Sequence, residues 1–129
     1  KSGGGWAVTL LAAIDTRIAR VAPVAGTLPL FITLARDWEQ QLPGIYPTLD
    51  YHDLYVMACD NGREHKQILN TNDSCCFTLT QYNQEPYESE VAARAVEIGG
   101  EYTLVWDNTH SEHLISAYGT SVILEFFNS

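Results

Sequence analysis

Residues 98–111 read Ile98-Gly99-Gly100-Glu101-Tyr102-Thr103-Leu104-Val105-Trp106-Asp107-Asn108-Thr109-His110-Ser111. Tyr102, Leu104 and Trp106 recur at period 2, which sets their side chains on one face of a strand. That face is expected to be core. Gly99-Gly100 punctuates the chain before the strand, and glycine is expected to supply the positive φ that a tight strand entry requires. Asp107 and Asn108 fit a turn that bonds its own backbone, with the Thr109 and Ser111 hydroxyls serving the same end. Their expected role is structural rather than catalytic.

Further short runs of β-type residues lie on either side. Val21-Ala22-Pro23-Val24-Ala25-Gly26 reads as an edge strand into a turn, and Thr27–Leu34 as a strand confined by Pro29 to an edge or bulge. Tyr51–Cys59 and Glu64–Leu69 read as a hairpin about Asp60-Asn61-Gly62. Cys75–Thr80, Leu114–Tyr118 and Ser121–Phe127 read as further strands, and Val91–Val96 as a helical turn or a strand. Ala35–Asp50, with Pro43, Gly44 and Pro47, reads as a long loop of the kind that carries function. Many short strands with turn residues between them predict an all-β fold, an antiparallel β-sandwich of jelly-roll type over residues 20–129. Residues 1–19 are expected to form an N-terminal arm or linker with a short helix, opening on a flexible Lys1–Gly5 lead-in. With no initiator methionine, the chain is expected to be one domain of a longer protein.

The chain has 129 residues and a formal charge of -9, from 7 Lys plus Arg against 16 Asp plus Glu. That sign opposes a phosphate-binding surface, so nucleic acid is not an expected partner. Residues 1–66 hold six bases against seven acids, whereas residues 67–129 hold Arg94 against nine acids. A partner steered by charge is therefore expected to be a basic protein that meets the second half. Cys59, Cys75 and Cys76 are too few and too irregular for a disulfide scaffold or a paired-cysteine metal site. Adjacent Cys75 and Cys76 on a strand would point to opposite faces, which argues against a bridge between them. The apolar stretch Trp6–Val21 carries Asp15, Arg17 and Arg20 and falls short of a bilayer span.

The closing third of the chain resembles the GOLD (Golgi dynamics) domain family. The likeness rests on Gly100, Tyr102, the run Trp106-Asp107-Asn108-Thr109, Ser111 and the alternating Ser121–Phe127 segment, and it covers residues 96–127. His110 stands where the family carries an aromatic residue, and the basic residue usual before the last strand is missing. The resemblance implies a β-sandwich with no enzyme activity and no cofactor, used as a protein–protein interaction adaptor in Golgi and vesicle membrane trafficking and in lipid-transfer proteins. Val105 stands where luminal members place a cysteine, so the resemblance points to the cytosolic, CRAL-TRIO-associated branch. The implied location is the cytoplasmic face of Golgi or vesicle membranes, reached through a neighbouring domain, with the ER–Golgi lumen as the alternative.

His110-Ser111-Glu112-His113 offers two imidazoles at i and i+3, which converge on one ion only in a helical turn, and a solvent-exposed loop is the preferred reading. No metal site is therefore expected. No nucleophile-elbow or phosphate-loop pattern occurs. A lectin-like, carbohydrate- or peptide-binding jelly roll is the alternative, with Trp6, Trp38, Tyr46, Tyr51, Tyr82 and Tyr87 in or near loops. Lipid contact would fall to Arg17, Arg20 and Arg36. For the partner surface we single out Arg36 and Trp38 in the long loop, with His110, Glu112 and His113 after the aromatic strand.

Overall fold

Glu64–Asn70 and Glu101–Asp107 are strands, but in the computed structural model they run parallel to each other. They are β2 and β3 of a three-stranded sheet whose third member, β1 (Arg20–Val21), pairs parallel with β2 on its other side. The structure describes residues 1–32, 38–41, 43–77 and 87–129. Parallel neighbours cannot be joined by a tight turn, so each connection crosses the sheet and carries a helix. Helix α2 (Tyr51–Met57) lies between β1 and β2, and α3 (Tyr87–Glu97) between β2 and β3. Helix α1 (Gly3–Ile14) precedes β1, and α4 (Ala117–Asn128) follows β3. The fold is thus mixed α/β, and the expected all-β antiparallel sandwich is corrected.

The misread segments became helices for local reasons. Tyr51–Cys59 is rich in β-type residues, yet Asp50 and Asp53 form a reciprocal capping box that satisfies the first amides of α2. Its buried Tyr51, Leu54 and Tyr55 follow the i, i+3, i+4 stripe of a helix. In α4, Gly119, Val122, Ile123 and Phe126 turn inward at the same spacing, and the Ser116 hydroxyl accepts from the Gly119 amide as N-cap. The apparent alternation of Ser121–Phe127 was therefore helical. Helix α3 buries Tyr87, Val91 and Ala95 at i, i+4, i+8. The expected strand at Thr27–Leu34 is absent from its described part, where Ile32 N closes a turn on Pro29 O at 3.0 Å. Residues 78–80 of the expected Cys75–Thr80 strand lie outside the described residues, as does Tyr82.

Two glycines show how closely the elements approach. A Cβ on Gly100 would sit 1.6 Å from the Cys59 carbonyl oxygen, so glycine is needed there for contact. The positive φ expected of the Gly99-Gly100 pair falls on Gly99, at 88°, where α3 ends. Gly26 packs on Gly5 of α1, where a Cβ would fall 2.5 Å from the Gly5 carbonyl carbon. With Gly5, Thr9, Ala12 and Ala13 buried, α1 belongs to the core rather than to a flexible arm.

Side chains alternate across each strand. His65 meets Tyr55 of α2, and Val21 packs with Ala12 of α1 and Ala58, so α1 and α2 cover one face of the sheet. Lys66 and Arg20 meet the Phe126 ring, which places α4 on the other. The first face contains a polar knot at Gln67. Its amide donates to Thr27 O and Tyr55 Oη, and its carbonyl accepts from the hydroxyls of Tyr87 and Tyr102. Every hydrogen-bonding capacity of the buried amide is thereby used. Arg63, also buried, donates to Ala12 O at the end of α1 and to Met57 O at the end of α2. It is a cation placed where two helices present their negative ends. Among the described residues no helix is long and apolar enough to cross a membrane.

Candidate metal centre

All strands of a parallel sheet point one way, so the loops leaving their carboxyl ends gather on one side. Register pairs Asn70 of β2 with Asp107 of β3, and the turns that follow are stitched together. Thr71 N donates to Asp107 O at 2.8 Å and Ser74 N to Ser111 O at 3.0 Å. The Asn70 amide donates to Leu114 O at 3.0 Å. Residues 70–76 and 107–116 therefore form one edge surface.

Asp107 organises the β3 side. Its Oδ1 accepts from Thr109 N at 3.0 Å and Thr109 Oγ1 at 2.6 Å, and its Oδ2 accepts from Ser116 Oγ. Burial alone would raise its pKa, but the Ser116 and Thr109 donors outweigh burial and hold the carboxyl below its usual range. Ser116, Asp107 and His110 look on paper like parts of a nucleophilic triad. The connectivity is different: the Ser116 hydroxyl donates to Asp107 and accepts from Gly119 N, while His110 Nε2 stands 3.4 Å from Asp107 Oδ2. A hydroxyl spent on a carboxylate and a helix cap is not activated by a base.

Asp73 organises the β2 side. Its Oδ1 accepts from Cys75 N at 2.8 Å and Cys76 N at 3.1 Å, and its Oδ2 pairs with His113 Nδ1 at 2.8 Å. Burial would raise this carboxyl too, and the His113 and amide donors prevail and lower it. It is therefore an anion at neutral pH. The opposite ring nitrogen of His113, Nε2, is buried and has no hydrogen-bond partner. An ion shared by Asp73 and His113 would replace the proton between them and take Nδ1, the ring nitrogen that faces the carboxylate.

Cys75 completes a set. One ligand atom each from Asp73, Cys75 and His113 lie within 4.8 Å of one another. Zinc bonds of about 2.0–2.3 Å would place tetrahedral ligands about 3.5 Å apart, so small side-chain rotations close the set. Carboxylate oxygen, imidazole nitrogen and thiolate sulfur are together the donor types of zinc and similar ions.

The structure also sets the sulfurs of Cys75 and Cys76 side by side, against the sequence expectation that they point to opposite faces. That expectation assumed a strand, whose neighbouring side chains diverge. Residues 74–76 instead form a bend held by Asp73, and a bend does not force them apart.

His110, Glu112 and His113, singled out from the sequence, do lie at this edge. The two imidazoles do not converge, since His113 turns to Asp73 while His110 lies between Asp107 and Glu112, at 3.4 and 3.5 Å. The site pairs one histidine with a turn forty residues earlier, which spacing within His110–His113 could not reveal. Asp73, Asn70 and Ser116 were not singled out, although an Asp two residues before Cys75 is a turn-forming signal. Arg36 lies outside the described residues, and Trp38 opens the 3-10 turn Trp38–Gln41. Of the aromatics weighed for sugar stacking, Tyr51 and Tyr87 are buried, and Trp6 donates to Tyr46, which also accepts from Tyr51. Arg20 is committed to Glu64, Phe126 O and Ser129 O, and Arg17 to Asp15. No protein family, curated protein or solved structure matches this chain.

Proposed function

We propose that this chain binds a thiophilic divalent cation, zinc foremost, at the carboxyl edge of its parallel sheet. The observation that carries this is the convergence of Asp73, Cys75 and His113 from two separate loops. Three protein donors leave the fourth tetrahedral position to water or an incoming ligand, whereas a closed structural site supplies all four. The site needs Cys75 as a thiolate and is therefore competent in the reduced protein. The adaptor role expected from the GOLD resemblance presumed a β-sandwich, and the parallel sheet removes that premise. His110 and Glu112 border the proposed centre, and the acidic second half of the chain would favour approach of a cation.

Calorimetric titration of the reduced protein with zinc tests the proposal. One ion should bind per chain, and His113→Ala and Asp73→Asn should each weaken binding at least tenfold while Cys59→Ser leaves it unchanged. Equal affinity in wild type and His113→Ala would refute it.

A further inference from the structure

The sheet has two outer edges, and they differ. On β3, Glu88 of α3 accepts from Leu104 N at 3.3 Å, so an outward amide is covered. On the other side the ladder to β2 uses Ala19 O, Pro23 O and Ala25 N, which bond Glu64 N, Ile68 N and Ile68 O at 2.9 Å. Main-chain groups alternate sides along a strand, so those of Arg20 and Ala22 point away from the sheet. Among the described residues nothing bonds Ala22 N or Ala22 O. Pro23 does not blunt this edge, because it faces β2.

Apolar side chains flank the outward main chain. Val8 and Leu11 of α1, Ile18, and Phe127 of α4 line a groove of about 260 Å³ along residues 20–22. Leu11 and Ile14, like Leu124 and Phe127, stand one helical turn apart and are 49–72% exposed, which lengthens the apolar strip on both helices. The charges beside it are paired within the chain, Arg20 with Glu64 at 3.0 Å and Arg17 with Asp15 at 2.7 Å. Glu125, the only charged residue of α4, lines a different cleft with Lys66. In a chain of formal charge -9, this is the edge where a second copy meets least repulsion.

We infer that β1 is a homodimer interface, at which two copies pair antiparallel about a two-fold axis at Val21 and join their three-stranded sheets into one. The outward groups set that register. With the axis at Val21, the N–H and C=O of Arg20 meet the C=O and N–H of Ala22 in the second copy, and the reverse, so every outward group of both residues is paired. The flanking apolar residues then cover their counterparts across the axis.

Sedimentation equilibrium of reduced full-length protein tests this, with a chelator present so that metal does not bridge copies, together with amide exchange followed by NMR. We expect a reversible dimer, with exchange at Ala22 slowing as the dimer fraction rises. Leu11→Glu and Phe127→Glu should each weaken association about tenfold or more, because the axis brings each new carboxylate into the interface twice. Val96→Glu, on the exposed side of α3, adds the same charge elsewhere and should leave association unchanged. Circular dichroism checks that the variants fold, and Ile14→Glu replaces either one that does not. A wild type that stays monomeric at millimolar concentration would overturn the inference. So would a dimer that the edge variants retain, or one in which Ala22 exchanges as fast as in the monomer, since the copies would then meet on another face.

Discussion

Replacing His65 with phenylalanine should flatten the acid limb of the stability curve. His65 is 1% exposed and lies edge-on between Tyr55 of α2 and Tyr102 of β3, at centroid distances of 5.2 and 5.4 Å. Neither ring nitrogen makes a well-formed hydrogen bond, and burial, only partly offset by the Tyr55 backbone, pushes the pKa down to about 3. In the unfolded chain the ring titrates near 6.5. Between those values the unfolded state carries a proton that the folded state refuses, so stability falls as pH falls from about 6.5 toward about 3. The slope is about 1.4 kcal/mol per pH unit, and the integrated loss from pH 7 to pH 5 is about 2 kcal/mol. Sixteen carboxylates titrate in an overlapping range, so the wild-type curve alone is not diagnostic. The difference between wild type and His65→Phe cancels them. Urea unfolding followed by tryptophan fluorescence at pH 7, 6 and 5 should show wild type losing about 2 kcal/mol more than the variant. Packing cost from the larger ring shifts the variant equally at each pH. Parallel curves would refute the placement of a neutral imidazole in the core.

Gly100→Ala should cost about 4 kcal/mol or more, because the new methyl meets the Cys59 and Arg63 backbone oxygens, whereas Gly99→Ala, paying only for its positive φ, should cost about 1–2 kcal/mol. Thermal unfolding of the pair gives the comparison, and equal losses would count against the close approach of the two chain segments. Arg63→Met keeps the aliphatic stem but abandons the carbonyls of Ala12 and Met57, and chemical denaturation should show a loss of about 3 kcal/mol. A loss below 1 kcal/mol would contradict that role. Ser116→Ala should cost about 1 kcal/mol as an N-cap loss, with amide exchange speeding at Gly119; unchanged protection there would contradict the cap.

The strand pattern at 101–107 and the glycine stop before it were legible in the sequence because they depend on neighbours in the chain. Strand direction was not, since parallel pairing is decided by which helices cover the two faces. Tyr51–Met57 shows the difficulty: its aromatic and β-branched side chains suit a strand, and the Asp50–Asp53 box that tips it to helix is a short polar signal easily read as a turn. Ser121–Phe127 is similar, for apolar residues at almost every position satisfy both periods until Ser116 and Gly119 fix the start of α4. At the candidate centre, His110, Glu112 and His113 stood out as a titratable cluster. Their partner Asp73 did not, because only the register of β2 against β3 brings residue 73 beside residue 113. The same register turned Cys75 from an isolated thiol into a member of a donor set.

The most direct test of the central claim is zinc-edge X-ray absorption on reduced, zinc-loaded protein. The account predicts one sulfur at about 2.3 Å with nitrogen and oxygen scatterers at about 2.0–2.2 Å, and the sulfur shell lost in Cys75→Ser. A spectrum with nitrogen and oxygen alone in the wild type, or a sulfur shell unchanged in Cys75→Ser, would contradict it.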